Sequence, residues 1–76
     1  MNGTKNYKRR KAKELIKQVA SKVKFLRTKM NFTQEELEEK TGITISRCES
    51  GKYDMTLTTV SILSKHLDAQ PWELLK

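Results

Sequence analysis

The side chains with chemistry to offer crowd into one short stretch. Thr44, Ser46, Arg47, Ser50, Lys52 and Tyr53 fall within ten residues, and Thr33 and Gln34 stand a little upstream. All can hydrogen-bond, and Arg47 alone among them carries a planar fork of donors. Such a set can hold an anion or the edge of a flat acceptor; it is not equipped to attack a substrate. No nucleophile–base pair, metal-ligand spacing or phosphate-cradling glycine loop accompanies it. Cys48 is the single cysteine and His66 the single histidine. Cys48 reads as a small buried apolar group and His66 as a structural or exposed residue. The acids Glu35, Glu36, Glu38 and Glu39 have no third ligand type beside them and read as a solvated helix face. The expectation is a binding protein with no enzymatic activity, no cofactor and no metal.

What it binds is suggested by the distribution of charge. The net charge is +7, and residues 1–29 hold eleven Lys/Arg against a single acid, Glu14. The remaining 47 residues are mildly acidic, with five Lys/Arg against eight Asp/Glu. A basic segment on a nearly neutral body suits a polyanionic partner, nucleic acid before membrane. A solubilising tail would have the same composition, so charge alone leaves both readings open. No apolar run approaches the roughly 20 residues of a membrane span, and the basic start lacks the apolar stretch of a signal peptide. A lone cysteine fits a reducing compartment, so the protein is expected to be cytoplasmic, and nucleoid-associated when bound to DNA.

Positioning these side chains falls to helices. A chain of 76 residues buries only about 60% of its unfolded surface, so one thin core must serve the whole molecule. Residues 1–7 carry no periodicity, and residues 1–11 read as a flexible basic arm ahead of a single domain over 12–76. From about Ala12 an apolar stripe appears at spacings of three and four (Leu15, Ile16, Val19, Val23, Leu26, Met30) and predicts a long first helix ending near Asn31. Thr33 to Glu36 form a capping box, with Phe32 placed as a hydrophobic staple. Helix two is expected over Gln34–Thr41 with Leu37 inward, stopping at Gly42. Thr44 is placed to cap a third helix reaching about Ser50, with Ile45 and Cys48 inward and Ser46, Arg47 and Ser50 outward. Thr56 caps a fourth, with Leu57, Val60, Leu63 and Leu67 inward. Pro71 opens a fifth carrying Trp72, Leu74 and Leu75. No segment reads as a strand.

Phe25–Lys76 resembles the lambda-repressor/Cro-type helix-turn-helix family, the XRE family. The carriers are Leu26-Arg27, Phe32-Thr33-Gln34-Glu35-Glu36-Leu37, Lys40-Thr41-Gly42-Ile43, Ile45-Ser46-Arg47-Cys48-Glu49-Ser50-Gly51-Lys52, and the tail from Leu57 to Leu75. The resemblance implies an all-α, five-helix domain, here with its first helix extended at the N-terminus, whose second and third helices read DNA. It assigns Gln34 to a phosphate, with the cap Thr33 beside it. It places Lys52 and Tyr53 where family members touch the backbone again. Arg47, on the outer face of the recognition helix, can hold a guanine edge or a phosphate; a surface pairing with Glu49 or Glu39 is the alternative. Thr44, Ser46 and Ser50 suit base edges or phosphates. Two positions depart from the family pattern. Glu38 stands where a small residue is usual, at the close approach of the two helices. About three residues of the recognition helix's first turn are missing between Thr44 and Ile45, so either that helix is short or the polypeptide is longer there.

These readings converge on sequence-specific binding of double-stranded DNA by a transcriptional regulator of repressor or controller type. The competing reading is an antitoxin-like or adaptor module whose main partner is a protein, which the short recognition helix favours. A homodimer is expected, since one small motif contacts few bases, and Trp72, Leu74 and Leu75 are its candidate interface.

Overall fold

The apolar stripe of the N-terminal third is where the helical architecture starts. The computed structural model describes residues 2–75, with side chains from residue 12 onward. Helix α1 spans Asn2–Lys29. Its backbone begins ten residues ahead of the stripe: once the docked half has nucleated a helix, each added residue contributes one more hydrogen bond. At 1.5 Å per residue its 28 residues run about 42 Å, which accounts for the longest molecular dimension of 44 Å. Val19 and Val23 are buried, whereas Leu15 and Met30, at the margins of the stripe, remain over a third exposed. The helix stops where Asn31 adopts a left-handed conformation (φ 61°) and the Phe32 N–H turns back to the Arg27 carbonyl at 3.1 Å.

Helix α2 spans Gln34–Thr41. The capping box is complete: the Glu36 N–H donates to Thr33 Oγ1 (3.0 Å) and the Thr33 N–H donates to Glu36 Oε1 (2.8 Å). Gly42 ends the helix at φ 75°, its N–H reaching the Glu38 carbonyl. Helix α3 holds only four residues, Ile45–Cys48, and stops two residues short of the expected Ser50. Thr44 takes the N-cap position but makes no side-chain cap bond. Helix α4 spans Leu57–His66, with Thr56 Oγ1 accepting from the Thr59 N–H as its cap.

Two expectations need correction here. The fifth element is not an α-helix: Pro71–Leu75 is a 3₁₀ helix, so the described residues form four α-helices and one 3₁₀ turn. The Glu73 N–H closes the tighter bond, three residues back, to the Gln70 carbonyl at 2.9 Å. Leu57 is 85% exposed rather than inward, because the first turn of α4 projects past the edge of the core.

The core is a single cluster of Val19, Val23, Leu37, Ile45, Cys48, Val60, Leu63, Leu67 and Leu74. The 3₁₀ turn packs on α1 and α4, and α2 on α3 and α4. Leu74, fully buried, plugs this assembly and so cannot belong to a subunit interface; Trp72 and Leu75 beside it are about half exposed. Among the described residues no segment is a strand, and no helix is long and apolar enough to cross a membrane.

Candidate nucleic-acid interface

The left-handed glycine after α2 fixes the turn that leads into α3, and both helices grip the core by few apolar anchors: Leu37 on one, Ile45 and Cys48 on the other. The remaining faces are free. Thr33, Thr44, Ser46, Arg47, Ser50 and Lys52 are exposed, and Gln34 and Tyr53 half-buried. Thr33 and Gln34 mark the start of α2, the end at which backbone N–H groups and the helix dipole favour an anion.

Glu38 stays exposed and extends its carboxylate to α3, where Oε1 accepts from the Ile45 N–H at 3.1 Å. Glu38 therefore closes the start of α3, which Thr44 leaves open. A short polar cap on the chain itself is replaced by a longer one reaching across from the neighbouring helix.

Behind the exposed face lies a buried ion pair. Arg27, near the end of α1, sends Nε to Glu49 Oε2 (2.6 Å) and Nη2 to Glu49 Oε1 (3.1 Å), the bidentate geometry of a strong pair. Its Nη1 donates to the Phe32 carbonyl at 2.7 Å. Both side chains are at least nine-tenths enclosed, and the hydrogen bond that Arg27 donates to Glu49 outweighs desolvation to hold the Arg27 pKa above its ordinary value. Gln34 joins the network, its Nε2 donating to Glu49 Oε1 at 2.9 Å. The network ties the end of α1, the start of α2 and the residue that ends α3, and it fixes which way the Gln34 amide points.

Glu49 being occupied in this way, Arg47 takes neither acid partner proposed from sequence; among the described residues the only ion pair is Arg27–Glu49. Instead its guanidinium lies 5.5 Å from the centre of the Tyr53 ring. The intervening loop is braced: Ser50 Oγ donates to the Arg47 carbonyl (2.7 Å) and accepts from the Lys52 N–H (3.2 Å). Gly51 adopts φ 80°, and a Cβ there would stand 3.5 Å from Cγ of Lys17. The close approach brings the basic helix α1 against the loop that follows α3.

Cys48 is buried, and burial pushes its thiol pKa up, away from the reactive thiolate. His66 Nδ1 lies 3.0 Å from the Ile62 carbonyl, a local helix contact. Among the described residues no group of three or more His, Cys, Asp or Glu is placed to hold a metal ion. The arrangement is suited to binding: exposed donors on one face, a rigid ion-paired support behind them.

Sequence reasoning missed Arg27, Glu49 and Glu38 as parts of this machinery. Arg27 looked like one more charge of the basic third. Its signal was its place on the inner side of α1, next to Leu26 and four residues after Val23.

A family model described as helix-turn-helix matches residues 23–74, more than half of the chain. No curated protein matches the chain, and no solved structure does.

Proposed function

This chain belongs to the helix-turn-helix family of lambda-repressor/Cro type, a family of DNA-binding transcription regulators, and from that premise we propose that it reads specific sequences of double-stranded DNA as a homodimeric regulator in the cytoplasm. The observation that carries this reading is Arg47, an exposed guanidinium on the outer face of α3 with no acid partner among the described residues. An arginine so placed is available to a guanine edge in the major groove, worth about 1–3 kcal/mol of discrimination. Thr44, Ser46 and Ser50 supply short donors and acceptors beside it. Thr33 and Gln34 hold phosphate at the start of α2, and Lys52 holds it after α3. The Lys and Arg residues of the 1–11 arm add affinity for any duplex ahead of the 12–76 domain. Trp72 and Leu75, half-exposed and apolar, are the candidate dimer contact.

Selection from a randomised duplex pool tests the reading. The recovered site should carry two-fold symmetry. Arg47→Ala should bind selected and scrambled duplexes alike, while Gln34→Ala weakens both to the same degree. Failure to enrich any site would reject sequence-specific reading.

A second reading has one observation in its favour. Four residues make a stubby recognition helix, and an antitoxin-like or adaptor module that engages chiefly a protein has less need of a long one. Such a module would not enrich a site.

A further inference from the structure

Resting on the DNA-binding reading above, we propose that Tyr53 is a positioning residue for Arg47: its ring holds the guanidinium so that the in-plane N–H donors meet a guanine edge. Arg47 is the most mobile kind of side chain in the most exposed kind of position, yet it lies against a ring. That ring does not share its mobility. Tyr53 is half-buried and packs against the core. The loop joining the two residues is pinned by Ser50, which bonds at once to the Arg47 carbonyl and the Lys52 N–H, and by Gly51 seated beside Lys17. The ring is therefore a fixed platform under a flexible arm.

A guanidinium held over a ring face by cation–π attraction keeps N–H donors free for other acceptors. Guanine offers two acceptors in one plane, whereas phosphate oxygens accept from many directions. Confining the arm to the side of the ring therefore favours base reading over phosphate clamping. It also reduces the rotamer freedom lost on binding, a gain that matters most where the recognition helix is only four residues long.

The test uses the full chain, the duplex recovered by wild-type selection, and a scrambled duplex of equal length. Tyr53→Phe keeps the ring and should bind both as wild type does. Tyr53→Leu keeps apolar bulk without a π face. It should lose about two- to fivefold on the selected duplex, the weight of an exposed cation–π contact, with affinity for the scrambled duplex and salt dependence unchanged. Placed on Arg47→Ala, it should have no further effect. Tyr53→Met stands in if Tyr53→Leu melts below the assay temperature. A readout independent of DNA is the ring-current shift of the Arg47 side-chain protons, present in wild type and Tyr53→Phe and lost in Tyr53→Leu. Equal losses on both duplexes, a loss in Tyr53→Phe, or an effect that persists without Arg47 would each overturn the proposal in favour of a direct backbone contact by Tyr53. Wild-type protein that binds no duplex would overturn the DNA reading along with it. Normal selection with a silent Tyr53→Leu overturns the positioning role alone.

Discussion

Replacing Glu38 with alanine should loosen the recognition helix without touching the core. The carboxylate accepts the Ile45 N–H at 3.1 Å, the bond that a side chain at the N-cap position ordinarily provides. Losing an N-cap acceptor destabilises by about 1 kcal/mol within a range of about 0.5–2. Alanine returns a few tenths through its better helix propensity, so the net loss should be somewhat under about 1 kcal/mol. For a domain of this size that lowers Tm by roughly 3–6 °C. The comparison that isolates the cause is Thr44→Ala. Thr44 occupies the N-cap position itself but makes no side-chain cap bond, so its truncation should stay within about 0.5 kcal/mol of wild type. Thr33→Ala provides a yardstick, because there the same kind of bond is made in the ordinary way. Glu38→Gln keeps the acceptor and loses the charge, and should fall between wild type and Glu38→Ala. Thermal unfolding followed by circular dichroism measures all four. A neutral Glu38→Ala beside a costly Thr44→Ala would show that the cap had been assigned to the wrong residue.

Further expectations come from the supporting groups. Arg27→Ala leaves the Glu49 carboxylate buried without its partner and should cost about 3–5 kcal/mol, enough to unfold much of the protein; Arg27→Met combined with Glu49→Leu should recover most of that loss in urea titration while leaving Gln34 without its anchor. Glu36 has its pKa lowered by the backbone N–H and the hydroxyl of Thr33. Its contribution is complete above the ordinary glutamate range and is lost as pH falls through the lower folded-state value, so Glu36→Gln should flatten the acid limb of the stability–pH curve. The Cys48 thiol, buried and raised in pKa, should react with a thiolate-directed alkylating reagent far more slowly in the native protein than in urea. Trp72→Ala or Leu75→Ala should weaken any dimer seen by light scattering at high concentration, with little change in Tm because both side chains are half-exposed.

Elements with local causes could be read directly from the sequence. The capping box at Thr33–Glu36, the turn at Gly42, the Thr56 cap and the inward set Val19, Val23, Leu37, Ile45, Cys48, Leu63 and Leu67 all rest on residues a few positions apart. What escaped depends on distance in space. Glu38 and Ile45 sit on different helices, so a carboxylate standing where a small residue was expected gave no hint that it would serve as a cap. Arg27 and Glu49 are 22 positions apart, and nothing local distinguishes a buried arginine from ten other basic residues of the same segment. Leu57 was misjudged because a correct three-residue spacing from Val60 does not reveal that the core ends before the helix does. Leu74 was misjudged for the opposite reason: a residue near the end of a sequence can still be the plug of its core.

The salt dependence of duplex binding tests the central claim most directly. Eleven basic residues in the first 29, together with Lys52 and the start of α2, should neutralise about five phosphates, which gives a slope of log affinity against log salt near −4.5 on a mixed-sequence duplex. A variant lacking residues 1–11 should bind with a shallower slope and weaker affinity for every sequence. A slope near zero, or no binding at low salt, would contradict the account and leave a protein partner as the reading to pursue.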